Sequence, residues 1–135
     1  MPSKKGQLRI LLVSGEAANT ELLRESLAQH VELESVETLP EMLGMLEAQC
    51  FDVVVCDKSF RGGTWADAVE AVRRFHPEVP TVIVSRLGDE QEWIEVLEAG
   101  AFDLLAAPYC ERAVLSVLEH AVASYQGRSY LDSAA

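Results

Sequence analysis

Short, nearly continuous apolar runs recur along the chain and predict buried β-strands. The first run extends from Leu8 to Val13 and is interrupted only by Arg9. Further runs lie at residues 53–56, 81–84 and 104–106. Short apolar runs without alternation are typical of parallel strands that are covered on both faces. Residues 31–37 differ, because glutamates stand between their apolar residues, and this partial alternation predicts a strand at the edge of the sheet.

Helical patterns lie between the apolar runs. Apolar residues three or four positions apart predict amphipathic helices around residues 22–27, 69–75, 93–97 and 114–125. Before the third strand, the Thr-x-x-Glu pattern from Thr38 to Glu41 predicts a capping box that opens a helix towards Leu46. His76-Pro77 and Gly100 are expected to end the third and fourth helices. Strands that alternate with helices in this way predict an α/β fold.

The expected architecture is a flavodoxin-like, doubly wound (βα)5 sandwich of three layers, with a parallel sheet in the order 2-1-3-4-5. Right-handed crossovers and the partly alternating second strand at an edge support this order. A single domain over residues 1–126 and a polar C-terminal tail over residues 127–135 account for the chain. Sites in such sheets lie beyond the carboxyl ends of the strands where the strand order reverses. The loops at residues 14–16 and 57–59 are therefore the first candidates.

Composition excludes several other classes of protein. The formal net charge of -11 argues against a nucleic-acid surface, which needs clustered Lys and Arg. No apolar run approaches the roughly 20 residues of a membrane span, and the polar start lacks the apolar core of a signal peptide. Three irregularly spaced cysteines fit free, mostly buried thiols in a reducing compartment. A cytoplasmic protein is expected, and with no Gly-rich phosphate loop a nucleotide-dependent enzyme is not.

Three segments match those of one known family in their order and spacing. The strand Phe51–Asp57 ends in an aspartate, the strand Pro80–Ser85 ends in a hydroxyl residue, and Glu98–Ala101 leads into the last strand. From residue 8 to residue 125 the chain thereby resembles the receiver domain of bacterial response regulators, which act in two-component (phosphorelay) signal transduction. The resemblance implies that Asp57 stands at the phosphoacceptor position and Ser85 at the switch hydroxyl that contacts the phosphoryl group.

The chain departs from this family where the phosphoryl chemistry is concentrated. In the family, two adjacent acids after the first strand bind magnesium with the aspartate, and a lysine before a proline holds a phosphoryl oxygen. Here Ser14 and Gly15 stand at the acid-pair positions, and Ala107 replaces the lysine before Pro108. Magnesium prefers charged oxygens, so neither a magnesium site nor another cofactor is expected. Glu16 could substitute for the acid pair, or it is an ordinary acid at a helix N-terminus.

Other residues near Asp57 have simpler expected roles. Lys58 and Arg61 are nearby cations that could compensate for the missing lysine, but Lys58 is expected to point away from Asp57 as a solvated loop charge. Gly62-Gly63 is expected to make that loop supple. Cys56 is expected to be a buried strand residue and not a reactive thiol. Asp57 itself could be a phosphoacceptor or a strand-end acid hydrogen-bonded to its loop, and the residues leave both open.

An acidic segment late in the chain predicts a protein-binding surface separate from the Asp57 site. Residues 87–111 include no Lys or Arg. Within it, Trp93, Glu92 and Glu95 fall on the face of the fourth helix, fifth strand and fifth helix, through which receivers commonly dimerise or bind partners. Leu104 of this face stands where many receivers have an aromatic switch residue. A tryptophan among acids suits a binding hot spot, and packing of Trp93 into the core is the alternative.

Two functional hypotheses follow. The first is a stand-alone, atypical receiver (a pseudo-receiver, not an enzyme) that binds a protein partner independently of phosphorylation. That partner would be a histidine kinase, another signalling protein or a second copy in a homodimer. The second is a working phosphorelay receiver that accepts a phosphoryl group on Asp57 from a histidine kinase. The residues at Ser14, Gly15 and Ala107 favour the first.

Overall fold

Strands and helices alternate along the chain as the apolar runs predict. A computed structural model describes residues 8–15, 17–86, 88–106 and 110–134. The strands are β1 (Arg9–Val13), β2 (Glu32–Val36), β3 (Val53–Asp57), β4 (Ser59–Phe60), β5 (Gly63–Thr64), β6 (Thr81–Ser85) and β7 (Asp103–Ala106). The helices are α1 (Ala17–Ala28), α2 (Leu39–Ala48), α3 (Trp65–Phe75), α4 (Glu90–Glu98) and α5 (Glu111–Ala134).

Five of the strands form one parallel sheet in the order β2-β1-β3-β6-β7. Counted without the two short strands, this is the predicted order 2-1-3-4-5, which is confirmed. The register pairs Val13 with Cys56 and Asp57 with Val84, so β3 lies between β1 and β6. Strand β2 lies at an edge and exposes Glu34 and Ser35, as its partial alternation predicts.

Successive residues of the central strands face opposite sides of the sheet, and each side carries its own core. Along β1, Leu11 and Val13 pack with buried residues of α2, α3 and α4. Ile10 and Leu12 pack on the other side with buried residues of α1 and α5. All four of these β1 side chains are fully buried. Burial on both faces explains why the strands are apolar without alternation, and the predicted three-layer sandwich is confirmed.

The helices begin and end near their predicted signals. At the start of α2, the Thr38 hydroxyl accepts a hydrogen bond from the Glu41 N–H at 3.2 Å. The Glu41 carboxylate in turn accepts from the Glu37 N–H at 3.2 Å, which completes a cap of the predicted kind. Helix α3 ends before His76. Helix α4 ends before Gly100, whose φ of +109° favours glycine.

Four details differ from the sequence-based expectations. Phe75 was expected on the apolar stripe of α3 but is 37% exposed, whereas Val69 and Val72 are buried. Cys56 is buried as expected, while the other two cysteines, although free, are exposed. Residues 127–134, expected as a polar tail, continue α5.

None of the helices within the described residues is both long and apolar enough to span a membrane.

The fourth difference is the loop after β3, which was expected to be supple. It forms an antiparallel hairpin of β4 and β5, with Gly62 in the turn at a φ of +86°. The hairpin is attached to the start of α2, because the Leu39 N–H donates to the Arg61 carbonyl at 3.2 Å. Its Phe60 side chain is buried in the core on that side of the sheet. These contacts hold the loop next to Asp57 in place.

Candidate functional site

The predicted site residues meet at the carboxyl edge of the sheet. Asp57 ends β3, the central strand, and Ser85 ends the neighbouring β6. Ser14 and Gly15 follow the end of β1 on the other side. The carboxyl ends of parallel strands share one edge, so the fold brings these four residues together as the sequence predicts. Glu16 and Ala107, the other two predicted positions, lie outside the described residues.

Asp57 is held by backbone donors from both sides. Its Oδ2 accepts a hydrogen bond from the Gly15 N–H at 3.2 Å. Its Oδ1 accepts from the N–H of Lys58 at 2.7 Å. The side chain is half-buried. Hydrogen bonds to a carboxylate are stronger than those between neutral groups, so the two loops fix the orientation of this acid.

The described donors around Asp57 do not fit a magnesium ion. Ser14 lies towards β2, since its hydroxyl is 3.4 Å from that of Ser35 and its N–H donates to the Val36 carbonyl. Gly15 presents an N–H to Asp57, and an N–H cannot ligate a cation. Magnesium needs several hard oxygen ligands in octahedral geometry. In the described part of the chain, no three His, Cys, Asp or Glu side chains are grouped closely enough to hold a metal ion.

A buried carboxylate connects this edge to the start of α4. Glu92, in the first turn of α4, is only 6% exposed. Its carboxylate accepts a hydrogen bond from the Ser85 hydroxyl. It also forms an ion pair with Lys58 Nζ at 2.8 Å. Ser85 is buried and also accepts from the Gly88 N–H at 3.3 Å. The switch-hydroxyl position is therefore already bonded to an anion of the protein itself.

These contacts stabilise the charged form of Glu92. The hydrogen bond from Lys58 is the largest cause that lowers the pKa of Glu92 below its ordinary value of 4.5, and the hydrogen bond from Ser85 is the second. Burial acts in the opposite direction, and the charge of Lys58 and the Gly88 N–H lower the pKa further. The ammonium remains hydrated on one side, since the Lys58 side chain is 46% exposed. A paired, buried carboxylate of this kind depends strongly on its partner.

Two sequence-based expectations are therefore wrong. Lys58 was expected to be a solvated loop charge, but its long side chain reaches the buried carboxylate of Glu92. Glu92 was expected on the outer interaction face of α4, but it faces inward with Val96, one turn later. Residues four apart lie on one side of a helix, so this pair forms the true inner stripe of α4.

The outer side of α4 carries the aromatic residue singled out in the sequence. Trp93 is 44% exposed and its indole N–H donates to Asp103 Oδ1 at 3.0 Å. Ile94 beside it is 39% exposed, so the alternative of core packing for Trp93 is wrong. Glu95 is exposed and accepts a hydrogen bond from Gln91. Leu104, in contrast, is half-buried against the core and contributes little outer surface.

One signal in the sequence could have located Glu92 correctly. Asp89-x-x-Glu92 has the pattern of a helix start, and the Asp89 carboxylate indeed accepts from the Glu92 N–H at 2.8 Å. A residue three positions after an N-cap lies in the first turn, close to the strand that precedes the helix.

The Cys56 side chain, next to Asp57 in sequence, is buried as an unreactive thiol. Burial, followed by the nearby charge of Asp57, raises the pKa of the Cys56 thiol well above 9.0.

Comparison with known proteins agrees with the fold. The family model described as "Response regulator receiver domain" matches residues 10–119. The response regulator protein PilR of Pseudomonas aeruginosa is 29% identical over 101 residues, which are 74% of this chain and 23% of PilR. The hydrogenase transcriptional regulatory protein HoxA of Cupriavidus necator is 26% identical over 117 residues, 86% of this chain and 24% of HoxA. The chain thus spans about a quarter of the length of these relatives.

Solved structures give the same fold. The non-phosphorylated receiver domain of HemR from Leptospira biflexa has a TM-score of 0.72 at 26% identity and covers 86% of this chain and 94% of its own. The receiver domain of a sensor histidine kinase from Pseudomonas aeruginosa PAO1, solved with magnesium in its active-site cleft, has a TM-score of 0.77 at 19% identity. That match covers 87% of this chain and 99% of the other, and at this identity it bears on the fold alone.

Proposed function

Because the chain belongs to the response-regulator receiver family of two-component signalling, we propose that it is an atypical, cytoplasmic member that binds a protein partner independently of phosphorylation. It acts as a binding module and does not catalyse an output reaction. Its partner is a histidine kinase or another signalling protein. The outer side of α4 is the binding surface, and Asp57 has no part in controlling it.

The observation that carries this proposal is the contact between Gly15 and Asp57. The Gly15 N–H bonds directly to the carboxylate where the family resemblance implies a pair of metal-binding acids. An aspartate can attack a phosphoryl donor only if the charge that develops is stabilised, usually by a metal ion. Loss of one positioned stabiliser lowers enzymatic rates on the order of a hundred- to a thousand-fold. Phosphorylation of Asp57 by a small donor is therefore expected to be very slow.

The binding surface is supported by exposure and charge. Trp93 and Ile94 are both exposed on α4, and aromatic residues of this kind often dominate binding energy. Glu90 and Glu95 flank them and are exposed. A net charge of -11 opposes contact between two copies through an acidic face. A partner with a basic surface is therefore favoured over a second copy of this chain.

Partner affinity tests the proposal. We expect Asp57→Ala to leave the affinity for a partner kinase of the source organism unchanged within about two-fold, since Asp57 lies outside the surface. Trp93→Ala is expected to weaken binding by about ten-fold or more. Glu95→Lys should also weaken it, while Glu47→Lys, a matched reversal at an exposed position of α2, should not. Isothermal titration calorimetry with each purified variant measures these differences.

The competing function is that of a working phosphorelay receiver. It predicts transfer of radiolabel from an autophosphorylated kinase to this chain, abolished by Asp57→Asn. It also predicts a loss of affinity in Asp57→Ala without a loss in Trp93→Ala. That combination would replace the present proposal. Absence of transfer, together with a loss confined to the variants of α4, would support it.

A further inference from the structure

The start of α4 differs from that of α3 in what its first-turn acid binds. At α3, Asp67 is exposed and accepts a hydrogen bond from the Thr64 N–H at 2.9 Å, so it caps its own helix. Glu92 has the equivalent position after the N-cap Asp89. It is buried, however, and its carboxylate is bonded to side chains from two other elements. Capping of α4 alone therefore does not explain why the Glu92 carboxylate is buried and bonded to other parts of the chain.

The groups that surround Glu92 are those of an anion-binding site. An ammonium comes from Lys58 after β3, and a hydroxyl comes from Ser85 at the end of β6. The N–H of Gly88 lies in the same group and lowers the pKa of Glu92. Ammonium, hydroxyl and backbone N–H groups are the donors with which proteins bind carboxylates and phosphates. Here the anion that they bind belongs to the protein.

We propose that Glu92 is the resident anion of this site, a positioning residue whose carboxylate engages Lys58 and Ser85 and holds the first turn of α4 without a phosphoryl group on Asp57. The inference deepens the proposed function and rests on it for the role of α4 in binding. Trp93 follows Glu92 directly and lies on the outer side of the same turn. Fixing Glu92 therefore fixes the residue on which partner binding is proposed to depend.

This arrangement explains how the surface can be formed in the absence of a signal. A ligand shifts a conformational equilibrium only by its difference in affinity between the two states. If Glu92 already engages Ser85 and Lys58, a new anion at Asp57 must compete with it for those donors. The free energy that such an anion gains from these donors is then reduced by the loss of the Glu92 contacts. The start of α4 is accordingly biased towards one position whatever the state of Asp57.

Chemical rescue with formate tests the resident anion. Glu92→Ala removes the carboxylate and leaves its donors, and formate supplies a carboxylate small enough to replace it. We expect sodium formate to raise the urea midpoint of Glu92→Ala above its value in sodium chloride at equal ionic strength. The expected gain is about three- to ten-fold in the folding equilibrium constant and grows with formate concentration. The wild-type chain and Glu95→Ala, a matched exposed position of α4, should show no such difference.

The double variant Glu92→Ala/Ser85→Ala completes this test, because loss of the hydroxyl should reduce the formate effect. Equal midpoints in formate and chloride for a natively folded Glu92→Ala would overturn the proposal. The measurement needs no partner, so its failure is distinct from a failure of the proposed binding function.

A second measurement applies if Glu92→Ala does not fold. The Trp93 N–H bonds to the Asp89 carbonyl at 3.0 Å and so reports on the first turn of α4. Ser85→Ala should speed hydrogen exchange at this amide by about ten-fold, the effect of one lost hydrogen bond to a charged group. Asp57→Asn should leave the exchange unchanged. Unchanged exchange in Ser85→Ala, or an equal increase in Asp57→Asn, would contradict the inference.

Discussion

Helices α2 and α4 begin with the same local pattern, but their acids are used in different ways. Thr38 accepts from the Glu41 N–H at 3.2 Å, and Asp89 accepts from the Glu92 N–H at 2.8 Å. The exposed Glu41 carboxylate then bonds back to the Glu37 N–H. The buried Glu92 carboxylate bonds to side chains of other elements. The first acid completes the cap of its own helix. The second connects α4 to the end of β6 and to the residue that follows β3.

The difference arises from what the fold places beside each helix start. A buried hydroxyl and a lysine lie beside α4. At α2 a nearby cation is Arg61, and its charge is the weakest cause that lowers the pKa of Glu41, whereas the hydrogen bond from the Glu37 N–H is the largest. An exposed acid gains little from a neighbouring cation, because water already solvates both. Local sequence therefore sets where a helix begins, and the tertiary surroundings decide what its first-turn acid does.

Removal of the two acids should separate these roles most strongly. Glu92→Ala is expected to lower the free energy of unfolding by about 2–3 kcal/mol, because the buried Ser85 hydroxyl loses its carboxylate acceptor and Lys58 loses its charged partner. Glu41→Ala should cost clearly less, since water replaces the lost contacts. Urea denaturation of both variants measures the difference. Equal losses would show that Glu92 is no more than a helix cap.

Gly88 offers a second way to disturb α4 and not α2. Its φ is +57°, and an added Cβ would lie 2.3 Å from the Cβ of Ala106. Gly88→Ala should therefore cost about 1–2 kcal/mol through strain at a left-handed position and the forced shift of this loop. Chemical-shift changes should be concentrated at Ser85 and in α4. A stability equal to wild type would mean that the loop is free to move away from β7.

The N-caps provide a control in which the two helices should behave alike. Thr38→Ala and Asp89→Ala each remove a side-chain acceptor for a first-turn N–H. Each should cost about 1 kcal/mol in the free energy of unfolding. Thermal or urea unfolding of the pair checks this. A much larger loss in Asp89→Ala would indicate that the cap also maintains the position of Glu92.

The smallest expected effect is a pH dependence of stability that belongs to Glu92. Its pKa is lowered in the folded protein, first by the hydrogen bond from Lys58 and then by that from Ser85. The unfolded chain therefore binds its proton more readily, and the stabilisation is fully present above about 4.5, the ordinary pKa. It is lost as the pH falls through the lowered folded value.

Glu92→Gln should remove this part of the acid dependence, which urea midpoints measured across the acid range would reveal. Glu41→Gln serves as the comparison, because the pKa of Glu41 is also lowered, chiefly by the Glu37 N–H. The contribution of the exposed Glu41 to stability should shrink further with added salt, whereas that of the buried Glu92 carboxylate should be less sensitive to salt. An identical dependence of the urea midpoint on pH for wild type and Glu92→Gln would contradict a role of the Lys58–Glu92 ion pair in stability.

The fold could be predicted from the sequence because its signals are local. Apolar runs locate the strands, and the partial alternation of β2 places it at an edge. The parallel order then brings Gly15, Asp57 and Ser85 to one edge of the sheet. This part of the site follows from position along the strands and needs no knowledge of side-chain packing.

The pairing of Lys58 with Glu92 could not be predicted in the same way. Helix α4 has two competing stripes, one with Trp93 and Ile94 and one with Glu92 and Val96, and hydrophobicity favours the first. The second faces inward because a charged donor and a hydroxyl from other elements satisfy Glu92 there. Such compensation depends on residues far apart in sequence. The direction of a long lysine side chain is likewise set by its partner and not by its backbone position.

The amide spectrum of α4 in the presence of a small phosphoryl donor tests the central claim most directly. Labelled protein would be treated with acetyl phosphate and magnesium, with Asp57→Asn as the control. If Glu92 already holds the start of α4, the amides of residues 90–98 should keep their chemical shifts in both proteins. Shifts throughout α4 in the wild type that are absent from Asp57→Asn would show that phosphorylation moves this helix, and would contradict the account.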